Sequence, residues 1–475
     1  MSQTSIHPLV LGRRKSSTRT IDKYAIVPLA ACVFALIVMP LLQFINPPSA
    51  EAVADGAARP ENRILWPVIA AISVVFAIQN RSRLAKLTWP PHIICLIAYL
   101  VFAGASVLWA FSPKISFTRF AQEVMVVISI VLPAMLAARR SDIMHGLFLC
   151  FAFAAILNVF FVYSGTHTDA FHWSPHGFQY VYIGSPGYFP SKNLLGECAA
   201  VAFLLSLHEI LCPGWRRVLG IIGVAMSISL IFSSDSKTAL GLALICPFLS
   251  GLTLITRKVT RISPAIIILS ITLCYVVLSI VFHYNLNWLS YKLYGDPTFT
   301  GRTVIWDFVR NEIGRRPLLG WGYESFWLVP GSPAVYAPGW VKGMPNGHNG
   351  YYDTMLNLGY VGLALLVVFI IATLHGIGRV AERDPVRAWL VLSLALFVIL
   401  YNFIESLLMH GFEAAEIGRC WGPFPPRGAA HSSTIQRPGT PGSSLGARGR
   451  RPRTQPPADV IDSQSAKTTE SGDGA

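Results

Sequence analysis

The tetrapeptide Gly347-His348-Asn349-Gly350 stands just ahead of a long apolar run, so it places an imidazole at the mouth of a predicted helix. A neutral imidazole, with an ordinary pKa of about 6.5, can take a proton near neutral pH and so serve as general base for a weak nucleophile. The same side chain, judged alone, is more often a cap or interfacial anchor. Arg302 falls in the first turn of a second predicted helix. A helix N-terminus and a planar guanidinium both favour the oxygens of an anion such as phosphate; the competing use is an exposed charge on an interfacial helix. Lys192 and Lys237 each sit at one end of a predicted span among small polar residues, and Arg119 has a similar place with Glu123 one turn inward. Cations converging at one depth suggest an anion site. Snorkelling anchors are the alternative for the two lysines, and a structural pair with Glu123 is the stronger alternative for Arg119.

Other candidates carry less. His167, His172 and His176 lie close together near Asp169, but Trp173, Pro175 and Gly177 indicate an irregular loop that does not align them, so no metal site is expected. The eight cysteines fall mostly within or at the ends of apolar runs, without a CxxC pair or a metal-type spacing, and read as core residues.

The elements that must hold these groups are membrane helices. Charged residues make up 13% of the chain against 53% hydrophobic, whereas a soluble domain carries roughly 25% charged residues. Apolar runs close to the ~20 residues that cross a bilayer recur, and inside hydrocarbon only helices satisfy such a backbone. Spans are expected at Tyr24 to Ile45, Ile64 to Gln79, Ile93 to Phe111, Phe120 to Ala138, Ile143 to Tyr163, Leu194 to Cys212, Val218 to Phe232, Thr238 to Ile255, Ile262 to Tyr284, Met355 to Leu374 and Ala388 to Ile404. The first is too long for a cleaved signal and is read as a retained helix. The expected fold is all-α, a polytopic transmembrane bundle of about eleven spans.

Residues 1–23 form a basic N-terminal segment, and with that end inside, every short cytoplasmic loop is basic, from Arg81, Arg83 and Lys86 to Arg379, Arg383 and Arg387. The net charge of +14 is therefore accounted for by membrane orientation, and no nucleic-acid partner is expected. Two long loops, 164–193 and 285–350, then face outward. In the second, Val304, Ile305, Phe308, Val309 and Ile313 recur at helical spacing, with Thr300 to cap the helix and Gly314 and Pro317 to end it. That helix should lie on the membrane surface or pack over the spans. The membrane domain covers 24–413. Residues 414–475, rich in Pro, Gly, Ser and Arg, should be disordered, either as a natural tail or as an out-of-frame end replacing a last span. A missing span would leave Glu405 and His410 facing lipid.

The order His348, Asn349, Gly359, Gly362 resembles the signature of the O-antigen ligase and polymerase superfamily. Phe189-Pro190-Ser191-Lys192-Asn193 with Gly196, Ser236-Lys237-Thr238, Gly301 to Trp306, and Pro317 to Gly322 resemble exopolysaccharide production proteins of the ExoQ type. Each motif is weak alone, whereas their order and membrane side are more specific. The resemblance implies a glycosyltransferase in a bacterial inner membrane; no metal or cofactor is expected, since Arg302, Lys192 and Lys237 could themselves neutralise a pyrophosphate and the outward loops offer few grouped carboxylates. The enzyme would move a glycan from a polyprenyl pyrophosphate to an acceptor hydroxyl on the outer face. His348 and Arg302 become catalytic, with His348 the base, and Arg302, Lys192, Lys237 and Arg119 bind the pyrophosphate. Trp306, Trp321 and Tyr323 become candidate glycan-stacking residues. Partners would be the lipid-linked oligosaccharide, membrane lipid and other polysaccharide export components.

A polymerase joining repeat units and a ligase acting on lipid A core share donor and leaving group, so the sequence separates them poorly. A glycan or lipid transporter is the rival of another class. It would want paired charges at mid-membrane and internal repeats, but no repeat is visible and the polar candidates gather at one face.

Overall fold

The computed structural model describes residues 23–46, 60–85, 89–136, 142–164, 171–173, 180–182, 184–281, 291–292 and 301–406. The basic segment ahead of residue 23, Thr300 as a helix cap, His167, His176, Asp169, Cys420, and everything expected of His410 and of the tail 414–475 lie outside the described residues.

Among the described residues, ten helices are long and apolar enough to cross a membrane. They are α1 (Ile26–Ile45), α2 (Pro60–Gln79), α3 (Pro91–Ala105), α4 (Pro113–Leu136), α5 (Ile143–Tyr163), α6 (Lys192–Ile210), α7 (Trp215–Ser234), α8 (Lys237–Thr260), α9 (Pro264–Val281) and, after the loop helix α10 (Arg302–Arg315), α11 (Gly350–Ala381). A shorter apolar helix, α12 (Pro385–Tyr401), follows. These eleven match the spans expected from hydropathy. The first long loop is not wholly irregular: β1 (Phe171–Trp173) pairs antiparallel with β2 (Tyr180–Tyr182), with His172 opposite Val181.

The bundle is organised about α6, which packs against α5, α7, α8 and α12. Its apolar window is 67% buried, against 17% for α9, whose Val276, Val277, Leu278 and Ile280 point outward as lipid-facing side chains should. Gly196 explains how closely α6 and α8 approach at their N-termini, since a Cβ there would stand 2.6 Å from the Ser236 Cβ. Each of these two helices is opened by a serine cap: Ser191 accepts from Leu194 N at 3.2 Å and Ser236 from Ala239 N at 3.4 Å.

At the opposite ends of the same helices, basic residues of the short loops meet acids. Arg216 grips Glu209 at 2.6 and 2.5 Å and Asp142 at 2.5 Å, joining α5, α6 and α7. Arg257 meets Glu382 at 2.7 Å.

The second long loop builds its own small core. Ile305, Val309 and Ile313 of α10 are buried with Phe326, Trp327 and Leu356 of α11, so α10 packs over the spans. Its N-cap is Gly301, and it runs one residue beyond the expected stop at Gly314, to Arg315. The segment Pro317 to Gly322 then crosses α11 backbone to backbone. Trp321 N donates to Leu356 O at 2.9 Å, Gly322 N to Asn357 O at 2.8 Å, and Tyr360 N to Pro317 O at 2.8 Å. The crossing is possible because α11 breaks at Gly359, whose φ of 66° and ψ of −167° belong to glycine, and whose missing Cβ would collide with Leu318 O. Two sequence motifs are thus halves of one joint.

Gly359→Ala should therefore undock the loop from α11 and lower stability by about 3 kcal/mol or more, the upper end of the range for a residue forced into a glycine-only conformation. The melting temperature of the purified protein in detergent checks this, with Gly241→Ala, which has open space around it, as the control.

Candidate functional site

Four helices begin at the same end of the bundle, and their first residues supply the polar groups. Asn349 caps α11 by accepting from Tyr351 N and Tyr352 N, each at 3.1 Å. His348, one residue earlier, adopts a left-handed φ of 47°, and its N–H donates to Asn346 Oδ1 at 2.9 Å. The Trp306 indole of α10 donates to Gly347 O at 3.1 Å, so the loop helix holds the histidine segment directly.

The centre of the site is Glu405, four residues beyond α12. Its Oε2 lies 2.7 Å from His348 Nδ1. Its Oε1 accepts from Arg302 Nη2 and, at 2.8 Å, from Asn193 Nδ2 of α6. Arg302 Nη1 donates to Ile404 O. The Asn193 carbonyl accepts from Tyr401 Oη at 3.2 Å, which brings α12 onto the start of α6. The side chains of Arg302, Glu405 and His348 are 13%, 14% and 25% exposed, sheltered yet open on one side. Burial would push the Glu405 carboxyl up, but the charges of His348 and Arg302 and their hydrogen bonds outweigh it and hold the group down at about 2.

Next to this cluster Lys192 pairs with Asp235 at 3.7 Å, and the charge of Lys237 is felt at Lys192. The structure thus gathers His348, Arg302, Lys192 and Lys237 at one end of the bundle. It places Arg119 differently: Nη1 donates to Glu324 O at 2.6 Å and Trp327 O at 3.1 Å, so this buried side chain pins the second loop from below. Two of the glycan-stacking expectations are corrected. Trp321 is buried in the loop core, its indole donating to Glu312 O at 3.2 Å and its face covered by Arg316, and Tyr323 is 1% exposed. Trp321 builds the loop core and Tyr323 packs onto the spans with Tyr99, Ala103 and Leu358, so neither ring is exposed to a sugar. Trp306 is half-buried beside His348.

Glu405 is the candidate-site residue that the sequence reading leaves out. A missing span would leave it facing lipid, but in the structure it is half-buried among polar partners. An acid directly after an apolar span was the available signal, since an ionisable group there must find a partner. Among the described residues, the one grouping with ligand atoms close enough for a metal ion is His208, Glu209 and Cys212, at the far end of α6, where Arg216 already occupies the carboxylate. The His172 side chain is outside the described atoms.

Chemically the site offers an imidazole whose Nδ1 is held by a carboxylate, a guanidinium beside it, two lysines, and the N-terminal ends of α6, α8, α10 and α11, each carrying partial positive charge. Such a place suits proton removal next to a bound anion.

The resemblance read from the motifs holds. Residues 221–367 match the family model described as O-antigen ligase, a stretch that includes Lys237, Arg302 and His348. The chain is also similar to the exopolysaccharide production protein ExoQ of Rhizobium meliloti (strain 1021), with 24% identity over 381 residues, 70% of this chain and 83% of that protein.

The low pKa of Glu405 fixes a pH dependence. A carboxyl held below its ordinary value contributes stability above that ordinary value, near 4.5, and loses it as the pH falls toward about 2. The stability difference between the natural protein and Glu405→Gln should shrink as the pH falls from about 5 toward about 2. Chemical denaturation of both proteins across that window checks this; a difference independent of pH contradicts it.

Proposed function

We propose that this protein is an exopolysaccharide polymerase of the bacterial inner membrane, joining oligosaccharide repeat units carried on polyprenyl pyrophosphate at the outer face. The observation that supports this reading best is the contact of His348 Nδ1 with Glu405 beside Arg302. With Nδ1–H donated to the carboxylate, Nε2 is left as the proton acceptor.

In this reading an acceptor sugar hydroxyl gives its proton to His348 Nε2 as its oxygen bonds to the anomeric carbon of the donor glycan. The bond from that carbon to the pyrophosphate breaks, and the lipid pyrophosphate leaves with the electron pair. Glu405 offsets the imidazolium that forms. Arg302 keeps guanidinium N–H groups beyond those given to Glu405 and Ile404, and with Lys192, Lys237 and the four helix ends it stabilises the growing phosphate charge. Its fork is shared with Glu405 instead of being devoted to phosphate. No divalent metal is required where cations already line the leaving-group site. The basic opposite ends of the helices support placing this end outside.

The family description favours a second reading, a ligase that moves a finished glycan to another acceptor such as lipid A core. Both readings use the same donor site and differ in acceptor. Transport is disfavoured because the polar groups gather at one end of the bundle.

Purified protein given lipid-linked repeat units should lengthen the glycan, and His348→Ala should slow this by roughly 100- to 10,000-fold, the range for losing a general base. EDTA should leave the rate unchanged. Near-normal turnover by His348→Ala, or inhibition by EDTA reversed by magnesium, contradicts the mechanism, and transfer only to lipid A core in place of elongation supports the ligase.

A further inference from the structure

Asp353 lies one turn inside α11, fully buried at 0% exposure, and is not one of the candidate chemical groups. Its carboxylate nevertheless touches both halves of the site. Oδ1 and Oδ2 accept from Gly347 N at 3.0 and 2.8 Å. Oδ1 also accepts from the Trp327 indole at 2.8 Å, and Oδ2 from the Ser406 hydroxyl at 2.5 Å. Gly347 immediately precedes His348, and Ser406 immediately follows Glu405.

We infer that Asp353 is a positioning residue that sets the distance between His348 and Glu405, by holding the residue next to each on a single buried carboxylate. This rests on the reading of His348 as base.

The chemistry of the contacts supports it. Both oxygens of a buried carboxylate must be satisfied by donors, and removing any donor or acceptor leaves its partner unpaired in a dry place. The carboxylate therefore stays where donors converge, and Gly347, Trp327 and Ser406 come from three different segments. Gly347 is part of the arrangement, because a Cβ there would stand 2.9 Å from Asp353 Oδ1 and push the loop away. His348 is held in a left-handed conformation that a non-glycine residue adopts only when its surroundings fix it. The Gly347 anchor supplies that constraint on one side and the Asn349 cap on the other.

The carboxylate is also the wrong group to do the chemistry itself. It is enclosed, and its lone pairs are spent on Gly347, Trp327 and Ser406. Its effect on turnover must pass through His348 and Glu405, where a displacement of about 1 Å costs on the order of 100-fold.

Asp353→Asn keeps the shape but turns one oxygen into a donor facing donors. The expected result in the elongation assay is a kcat about 100-fold lower, with KM for the lipid-linked donor changed by less than a few-fold. As the imidazole loses part of its contact with Glu405, the rising limb of the pH profile should move to lower pH. A merely less stable protein would lose activity at all pH values without moving the limb. Ser406→Ala, which removes one donor and leaves the carboxylate, should give a smaller loss with the same direction of limb movement. Added to His348→Ala, Asp353→Asn should cost nothing further.

Asp353→Asn or Ser406→Ala with the natural kcat and pH limb, while His348→Ala is inactive, overturns the inference and leaves the base in place. An active His348→Ala overturns the base assignment instead. If Asp353→Asn does not fold, Ser406→Ala and Ser406→Val decide: an unmoved limb in both overturns the proposal, and a limb moved to lower pH in both upholds it.

Discussion

A carboxylate taken out of water must be paired, since the desolvation cost of a buried ion amounts to several kcal/mol. Glu405 is that carboxylate here, and the rest of the site is arranged around its need for partners. Arg302 and His348 reach it across sequence separations of 103 and 57 residues, and Asn193 across 212. Each partner stands at or next to the first turn of a helix, so satisfying Glu405 draws the starts of α6, α10 and α11 to the end of α12. The resulting ionic centre is neutral overall when the imidazole is neutral, and gains one positive charge when the imidazole takes a proton. That is the sense of charge change a departing anion favours.

The joint between Pro317 to Gly322 and the broken part of α11 makes this convergence rigid. Backbone groups that a continuous helix would have used internally are given to the crossing loop, so the loop carrying Arg302, Trp306 and His348 is attached by hydrogen bonds as well as by apolar packing. Arg119 reinforces it from the membrane side through the carbonyls of Glu324 and Trp327. Its cationic charge is used to hold a loop, a role that its sequence position at the end of a span does not distinguish from anion binding.

The bundle was legible because bilayer thickness imposes a run length and composition on each span, and those are written locally. His348, Arg302, Lys192 and Lys237 were legible because each opens a helix, and helix starts leave local signals such as Ser191, Ser236 and Asn349. Glu405, Asp353 and the contacts of Arg119 were not, since each depends on partners between 6 and 212 residues away that only the fold brings near. Trp321 and Tyr323 show the same limit from the other side. An aromatic residue in a loop reads as a surface group, yet this loop is long enough to have a core, which Trp321 helps fill, while Tyr323 packs down onto the spans beside Tyr99 and Leu358.

A double-mutant cycle in the glycan elongation assay tests most directly whether Glu405 and His348 act as one unit. If they are one unit, Glu405→Gln and His348→Ala each lower kcat strongly, and the double variant is no slower than His348→Ala alone, the non-additivity expected of groups that share a step. Losses that multiply in the double variant would show that the two side chains contribute independently and would contradict the account.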